Sequence, residues 1–406
     1  MRKAVLSFLV FATFLVLYAL NDQPISNHGT DDSASESDYC GSNLAWQRLL
    51  QQQPDLLQQQ ELLEEAYYQN QQATPLKTVA PPYTIPVVFH IIHQGGAENI
   101  PATAIQLSLD YLNQSFANVG PYDPGTGVAT SIDFCLAKRQ PDGTISSGIE
   151  RISDPLTNLN MNDDLALKNL SRYDPTQYLN IWVVDEICSS TSCGVAGYAY
   201  FPSAHGGNLD GIVVEARWLG NSPANSSVLT HEVGHYLGLY HTFEGGCQND
   251  DCLANGDRVC DTPPDQSTAA VPCNASPNSC MTDTNDGFLT DQPDMFQNYM
   301  DYGDWNCYSM FTAGQRDRMH FFLDGIRASL QSSLGCLDPC TSPPSVSITN
   351  DFSVPVAQGS AINLTATGTN VDTYTWFVDG VEIGTGNPLS YTFPSEGSFN
   401  LTVVVG

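Results

Sequence analysis

Hydrophobic and polar positions divide the chain into four regimes. The first is an almost unbroken apolar run at residues 4–20, preceded by Arg2 and Lys3 and followed by a polar, Ser- and Gly-containing stretch at 21–37. The second, residues 44–68, sets Trp46, Leu49, Leu50, Leu56, Leu57, Leu62 and Leu63 about one helical turn apart among Gln and Glu. This predicts a helical segment with too few apolar residues to fold alone, so it needs a surface to lie on. Pro75, Pro81 and Pro82 then interrupt regular structure, and residues 69–82 read as a linker.

The third regime is a folded domain. Residues 83–92 (YTIPVVFHII) form a β-branched apolar strand. Ile105, Leu109, Leu112 and Phe116 give residues 101–119 one buried helical face. Residues 132–136, 179–184, 195–201 and 211–216 read as further strands. Strands and helices in this order predict an α/β domain with a twisted mixed sheet backed by helices. From 242 to 304 periodicity disappears in a loop-like stretch rich in Asp, Asn, Pro and Gly. Loops of that length are functional or tied down, and six cysteines from Cys247 to Cys307 are available for the tying. The fourth regime follows CTSPP at 340–344: short β-rich runs at 345–348, 361–366, 373–378, 391–393 and 398–405, the pattern of a small β-sandwich.

Composition narrows the setting. The N-terminal run, 17 residues long, is at the short limit for crossing a bilayer. No basic cluster follows it to stop transfer, so a cleaved secretory signal over residues 1–20 is favoured over a retained anchor. Twelve cysteines in a secreted chain make disulfides the default. A net charge of −30 argues against nucleic acid and anionic membranes as partners. Oligomeric state is not legible.

The chemistry is concentrated in residues 231–241, HEVGHYLGLYH. On a helix, His231 and His235 project from one face, one turn apart. Gly238 can take the left-handed conformation that ends a helix, and the turn returns His241 as a third ligand. Three neutral imidazoles leave one position open on a tetrahedral zinc, as in catalytic rather than structural sites. Such a zinc lowers the pKa of water to roughly 7 and polarises a carbonyl. Glu232, beside the first ligand, can accept the water's proton and deliver it to a leaving amine. The different-class rival is a secreted adhesin with a vestigial zinc site; the intact Glu232 argues against it.

The eleven-residue motif resembles the metzincin peptidases, which also carry a Met-turn beneath the metal; NYMDY at 298–302 supplies Met300. HTFEGGC at 241–247, DTP at 261–263 and Cys307 before FTAGQ narrow the resemblance to the pappalysin (cytophagalysin) family. Astacins place Glu after the third His, where this chain has Thr242. The strand 83–92, NIWVV at 180–184 and GYAYFP at 197–202 extend the likeness across roughly residues 40–335. TYTWFVDG at 373–380 and SEGSFNLT at 395–402 resemble PKD-type immunoglobulin-like modules.

The resemblance implies a zinc endopeptidase acting on proteins or peptides, with His231, His235 and His241 as ligands, Glu232 as general base and Met300 as the apolar floor. It implies that Tyr302 helps stabilise the tetrahedral intermediate and that residues 197–201 pair with substrate antiparallel. It pairs Cys247 with Cys280 and Cys273 with Cys307; Cys252–Cys260, Cys188–Cys193 and Cys336–Cys340 are expected as local bridges, with Cys135 a buried free thiol. Asp257, Asp261 and Thr262 sit where relatives bind calcium, although the run also reads as a solvated acidic loop. Asn306 stands where some relatives carry the Asp that favours basic residues after the cut. Cys40 resembles a cysteine switch, its thiolate taking the fourth zinc position in a latent precursor; a disulfide or a spare thiol are the alternatives. The expected organisation is a signal (1–20), a pro-segment and linker (21–80) released by a cut near Lys77, a catalytic domain (81–338) and a β-sandwich (341–406).

Overall fold

The computed structural model describes residues 40–73, 82–120, 125–248, 250–266, 271–339, 345–350, 357–371 and 373–405. The expected signal, most of the expected linker and the CTSPP boundary lie outside these residues.

Two N-terminal helices, α1 (Ser42–Gln52) and α2 (Asp55–Ala73), replace the single segment expected. Pro54 separates them, because a proline ring clashes with the preceding turn and supplies no N–H. The buried face of α1 is Ser42, Ala45 and Leu49. That of α2 is unexpected: Leu56, Gln60, Glu64 and Tyr67 face inward, while Leu57 and Leu62 are 47% and 64% exposed.

The central sheet is built from β1 (Tyr83–His93), β2 (Ile132–Leu136), β3 (Ile149–Ser153), β5 (Leu179–Val184), β7 (Gly197–Ala199) and β8 (Ile212–Glu215). Its order is β2–β1–β5–β8–β7, with β3 also on β1, and every pairing is parallel except β7 against β8. A short β4 (Asn158–Asn160) and β6 (Glu186–Cys188) make a separate parallel pair, and α4 (Asp164–Leu170) packs near β4. Alternation divides β1 between two cores. Val87, Phe89 and Ile91 join α3 (Ala102–Phe116) and α5 (Pro223–Tyr236) on one face, while Ile92 joins Trp182, Tyr198, Ala45 and Leu49 on the other. The N-terminal helix α1 therefore completes the second core.

The stretch expected to be loop carries only one short 3₁₀ turn (Asp283–Asp286) as helix or strand among its described residues. It is tied by Cys247–Cys280, Cys252–Cys260 and Cys273–Cys307, and Cys188–Cys193 also forms, as expected. Cys135 is a correction. It is no free thiol but pairs with Cys336, 201 residues away, which removes the expected Cys336–Cys340 bridge. The reason is spatial: the end of the domain runs beside β2, where Lys138 N–H donates to Gly335 O at 2.8 Å. Cys340 lies outside the described residues.

Two helices were not anticipated, α4 and the one that follows the disulfide-tied stretch. α6 (Ala313–Asp324) has a capping box between Thr312 and Gln315, but its inward positions include Gln315 and Arg318, which hide its apolar period. Beyond Ser345, β9 (Ser345–Ile348), β10 (Ala361–Leu364), β11 (Ala366–Thr369), β12 (Tyr374–Val378), β13 (Val381–Thr385), β14 (Leu389–Thr392) and β15 (Leu401–Val405) pair antiparallel around Leu364, Ala366 and Trp376.

Candidate metal centre

Helix α5 starts with Pro223 in its first turn and Ser222 as N-cap, the Ser222 hydroxyl accepting from Asn225 N–H at 3.2 Å. Every residue from Ser226 to Tyr236 is buried, because the helix is enclosed by the sheet, α3 and the disulfide-tied half. It stops at Gly238, whose φ of +98° is left-handed. A side chain there would also run into the Phe322 ring. The turn carries His241 back to α5.

The three imidazoles meet through Nε2: His235 Nε2 lies 3.1 Å from both His231 Nε2 and His241 Nε2. His231 Nδ1–H donates to Tyr299 O at 2.6 Å, and His235 Nδ1–H donates to Leu239 O at 2.8 Å. Those bonds fix the tautomers and leave the Nε2 lone pairs without hydrogens, aimed at one another. Burial pushes His231 down to about 4 and, with the neighbouring rings, His235 and His241 well below their usual value. His231 and His235 thus present two bare Nε2 acceptors 3.1 Å apart, and His241 Nε2 is turned to the same point, a donor set that fits a metal ion.

Glu232 follows His231 and is 1% exposed. Burial pushes its carboxyl up to about 8, opposed by hydrogen bonds from Ser42 and Cys40. Those partners come from the N-terminal segment. Ser42 Oγ donates to Glu232 Oε2 at 3.0 Å and accepts from Ala199 N–H at 2.9 Å. Cys40 is a buried free thiol, 3.7 Å from the same carboxylate oxygen. Its sulfur and one nitrogen from each of His231, His235 and His241 all lie within 4.8 Å of one another. Cys40 forms a parallel bridge with Gly197, and Gly41 N–H donates to Gly197 O at 2.8 Å.

Met300 is fully buried beneath α5, with its sulfur against Gly234 so closely that any side chain there would collide. Tyr302 stands beside the cluster, its ring 5.0 Å from that of His241 and 6.0 Å from that of His231. A cavity of about 150 Å³ opens next to His231 and Glu232, with Val228, Tyr302, Trp305 and Tyr308 among its walls. Asn306 is exposed and turned to Asp304, at 2.7 Å.

The residues expected to hold calcium have protein partners. Asp257 accepts from Thr262 Oγ at 2.8 Å and from Val259 N–H at 3.0 Å, and burial pushes it up to about 8. Asp261 has a different use: it accepts from Thr312 Oγ at 2.7 Å and Gly314 N–H at 2.8 Å at the start of α6. Sequence reasoning missed Ser42 and the set Glu64, Tyr240 and Arg318. Glu64 lies in a helix of otherwise plain Gln/Glu composition, and Arg318 in a segment whose pattern is obscured.

Residues 161–324 match the Peptidase M43 family, pregnancy-associated plasma protein-A. An extracellular metalloprotease of Colletotrichum graminicola is 33% identical over 266 residues, covering 62% of this chain and 80% of the relative. One from Arthroderma benhamiae is 30% identical over 262 residues, covering 62% and 76%. Among solved structures, a Tannerella forsythia promirolysin mutant aligns with TM-score 0.56 at 29% identity, covering 72% of this chain and 97% of that one. Mature mirolysin in complex with a cleaved peptide aligns with TM-score 0.53 at 29% identity, covering 62% and 97%. Among the described residues no helix is long and apolar enough to cross a membrane. With the histidine cluster in the place the motif requires, the chain belongs to the pappalysin family of metalloendopeptidases.

Proposed function

We propose that the chain is a secreted zinc endopeptidase made as a latent precursor. The observation that carries this is the convergence of three imidazole Nε2 atoms beside Glu232. Zinc bound by His231, His235 and His241 supplies Lewis acidity to the scissile carbonyl and makes water acidic enough to act near neutral pH. Glu232 takes the proton of the attacking water and passes it to the leaving amine. Tyr302, at the rim, donates to the oxygen of the tetrahedral intermediate. Strand β7 offers its edge to an extended peptide running antiparallel to it. The aromatic-walled cavity takes the side chain following the cut, and Asn306 provides no charge there to favour Arg or Lys.

Latency follows from the N-terminal segment. Cys40 sulfur would complete the ligand set of a metal held by the three histidines, while Ser42 occupies Glu232 and the Ala199 N–H, so ligand, base and substrate edge would all be engaged at once. The segment lies parallel to β7, opposite to the proposed substrate direction, which removes it from productive alignment. Cleavage in the linker releases it. Calcium belongs beside Asp257 and Thr262, where a cation would hold a fully buried carboxylate ionised; Asp261 is committed to α6. The strands after Ser345 form a PKD-like module outside the chemistry.

The test is to nick the full-length chain in the linker and incubate it with a peptide library. Cleavage that a zinc chelator abolishes and added zinc restores is expected. Chelator-insensitive cleavage, or none, contradicts the proposal.

A further inference from the structure

The pro-segment leaves behind more than an open metal. Glu64 of α2, 4% exposed, enters a pocket of the catalytic domain made by Arg318, Arg258 and Tyr240. Its Oε1 accepts from Arg318 Nη2 at 2.6 Å and from Tyr240 Oη at 2.9 Å, and its Oε2 lies 3.3 Å from Arg258 Nη1. Arg318 is fully buried, with Nη1 unbonded and Nε donating to Gly238 O at 2.8 Å. Glu64 is the carboxylate paired with it among the described residues. The chain has 14 Lys and Arg against 44 Asp and Glu, so two arginines around one carboxylate are a conspicuous departure from its composition.

The pocket is connected to the cleft. Phe201, just beyond β7, packs on the His235 ring at 5.6 Å, Tyr240 packs on Phe201 at 5.1 Å, and Arg318 lies over Tyr240 at 5.0 Å. The pro-segment follows the same path. Cys40 sits at the three histidines, Ser42 at Ala199, Trp46 against Phe201 at 5.9 Å, and Glu64 at the arginines. A peptide running antiparallel to β7 passes Phe201 with the residues that precede its cut. At roughly 3.3 Å per extended residue, the span of these ring contacts corresponds to no more than about five residues, which brings the guanidinium within reach of a residue upstream of the cut.

We propose that the Arg318–Arg258–Tyr240 pocket, once α2 leaves, is a substrate subsite that selects an acidic side chain upstream of the scissile bond, with Glu64 its built-in mimic. The assignment rests on the peptidase reading above. Departure of Glu64 strips the buried guanidinium of its carboxylate partner, and a substrate Asp or Glu restores two charge-assisted hydrogen bonds with fixed geometry. A neutral side chain leaves the cation unpaired, which is the source of discrimination.

The experiment uses the full-length chain nicked in its linker and a peptide it cleaves, resynthesised with Glu or Gln singly at each of several positions before the cut. At one position, kcat/KM is expected to be about tenfold higher for Glu than for Gln, as for a partly desolvated charge pair. Arg258→Gln is expected to narrow that ratio. Arg258 is the variant of choice because Arg318 also holds the turn after α5. A binding measurement on the nicked Glu232→Ala chain should show the same preference without turnover. Glu and Gln peptides cleaved at equal rates at every position overturn the subsite while leaving the peptidase reading intact. A ratio that Arg258→Gln does not change also overturns it. Failure to cleave any peptide overturns the reading beneath it.

Discussion

Replacing Glu64 by Gln keeps the side-chain shape but removes the charge that pairs with Arg318. Burial alone would raise the Glu64 pKa; the attraction and hydrogen bond of Arg318, with Arg258 and Tyr240, outweigh it and hold the carboxyl below its ordinary value of 4.5. Removing one partner of a buried pair costs about 3–5 kcal/mol when the other is left uncompensated. An amide still accepts from Arg318 and Tyr240, so the loss here should fall nearer about 2–3 kcal/mol. That corresponds to a roughly 30- to 150-fold weaker hold of the pro-segment on the catalytic domain. The assay is the rate at which trypsin, or the chain itself, converts the precursor to active enzyme, followed with a quenched peptide. Faster conversion with a lower precursor melting temperature is expected. Because the folded pKa is depressed, the stabilisation is complete above the free value and disappears as pH falls through the folded value. The advantage of wild-type over Glu64→Gln should therefore shrink on acidification below about 4.5. Equal activation rates and melting at neutral pH, or a difference that does not shrink in acid, would refute the role assigned to the pair.

Glu232→Ala should preserve fold and metal content yet lower peptide hydrolysis by about 10²–10⁴, because the proton acceptor is gone; near-normal turnover by the metal-loaded variant would contradict the mechanism. Breaking Cys135–Cys336, which spans 201 residues of sequence, by Cys135→Ser and Cys336→Ser should destabilise the domain by up to about 5 kcal/mol; an unchanged denaturation midpoint in the double variant would show that the chain end is held by packing alone. Withdrawing calcium with zinc retained should lower the melting temperature of wild-type protein and have no effect on Asp257→Asn; identical melting of wild type with and without millimolar calcium would discard that site.

The sequence revealed the chemistry better than the architecture around it. Residues 231–241 carry their own geometry, because helical spacing aligns His231 with His235 and one left-handed residue, Gly238, returns His241. The strands β2 and β5 were legible to the residue: β5 is a fully buried apolar run, and the edge strand β2 alternates buried Ile132 and Phe134 with exposed Asp133. Helix α6 was not, because buried Arg318 and Gln315 replace the apolar positions on which periodicity relies. The inward face of α2 was misread for the same reason: Leu57 and Leu62 are exposed while Gln60 and Glu64 face the domain beside Leu56. Both failures are halves of one interaction, as Glu64 and Arg318 neutralise each other across the interface. Cys135 was misassigned because a bridge across 201 residues depends on tertiary proximity, which spacing does not encode.

The central claim is a zinc ion held by three histidines and closed by Cys40. X-ray absorption at the zinc edge of the intact chain measures that coordination directly. We predict nitrogen neighbours at roughly 2.0 Å and one sulfur at roughly 2.3 Å, the sulfur vanishing after linker cleavage and absent in Cys40→Ala. A metal shell of nitrogen and oxygen alone in the uncleaved wild-type chain would contradict it.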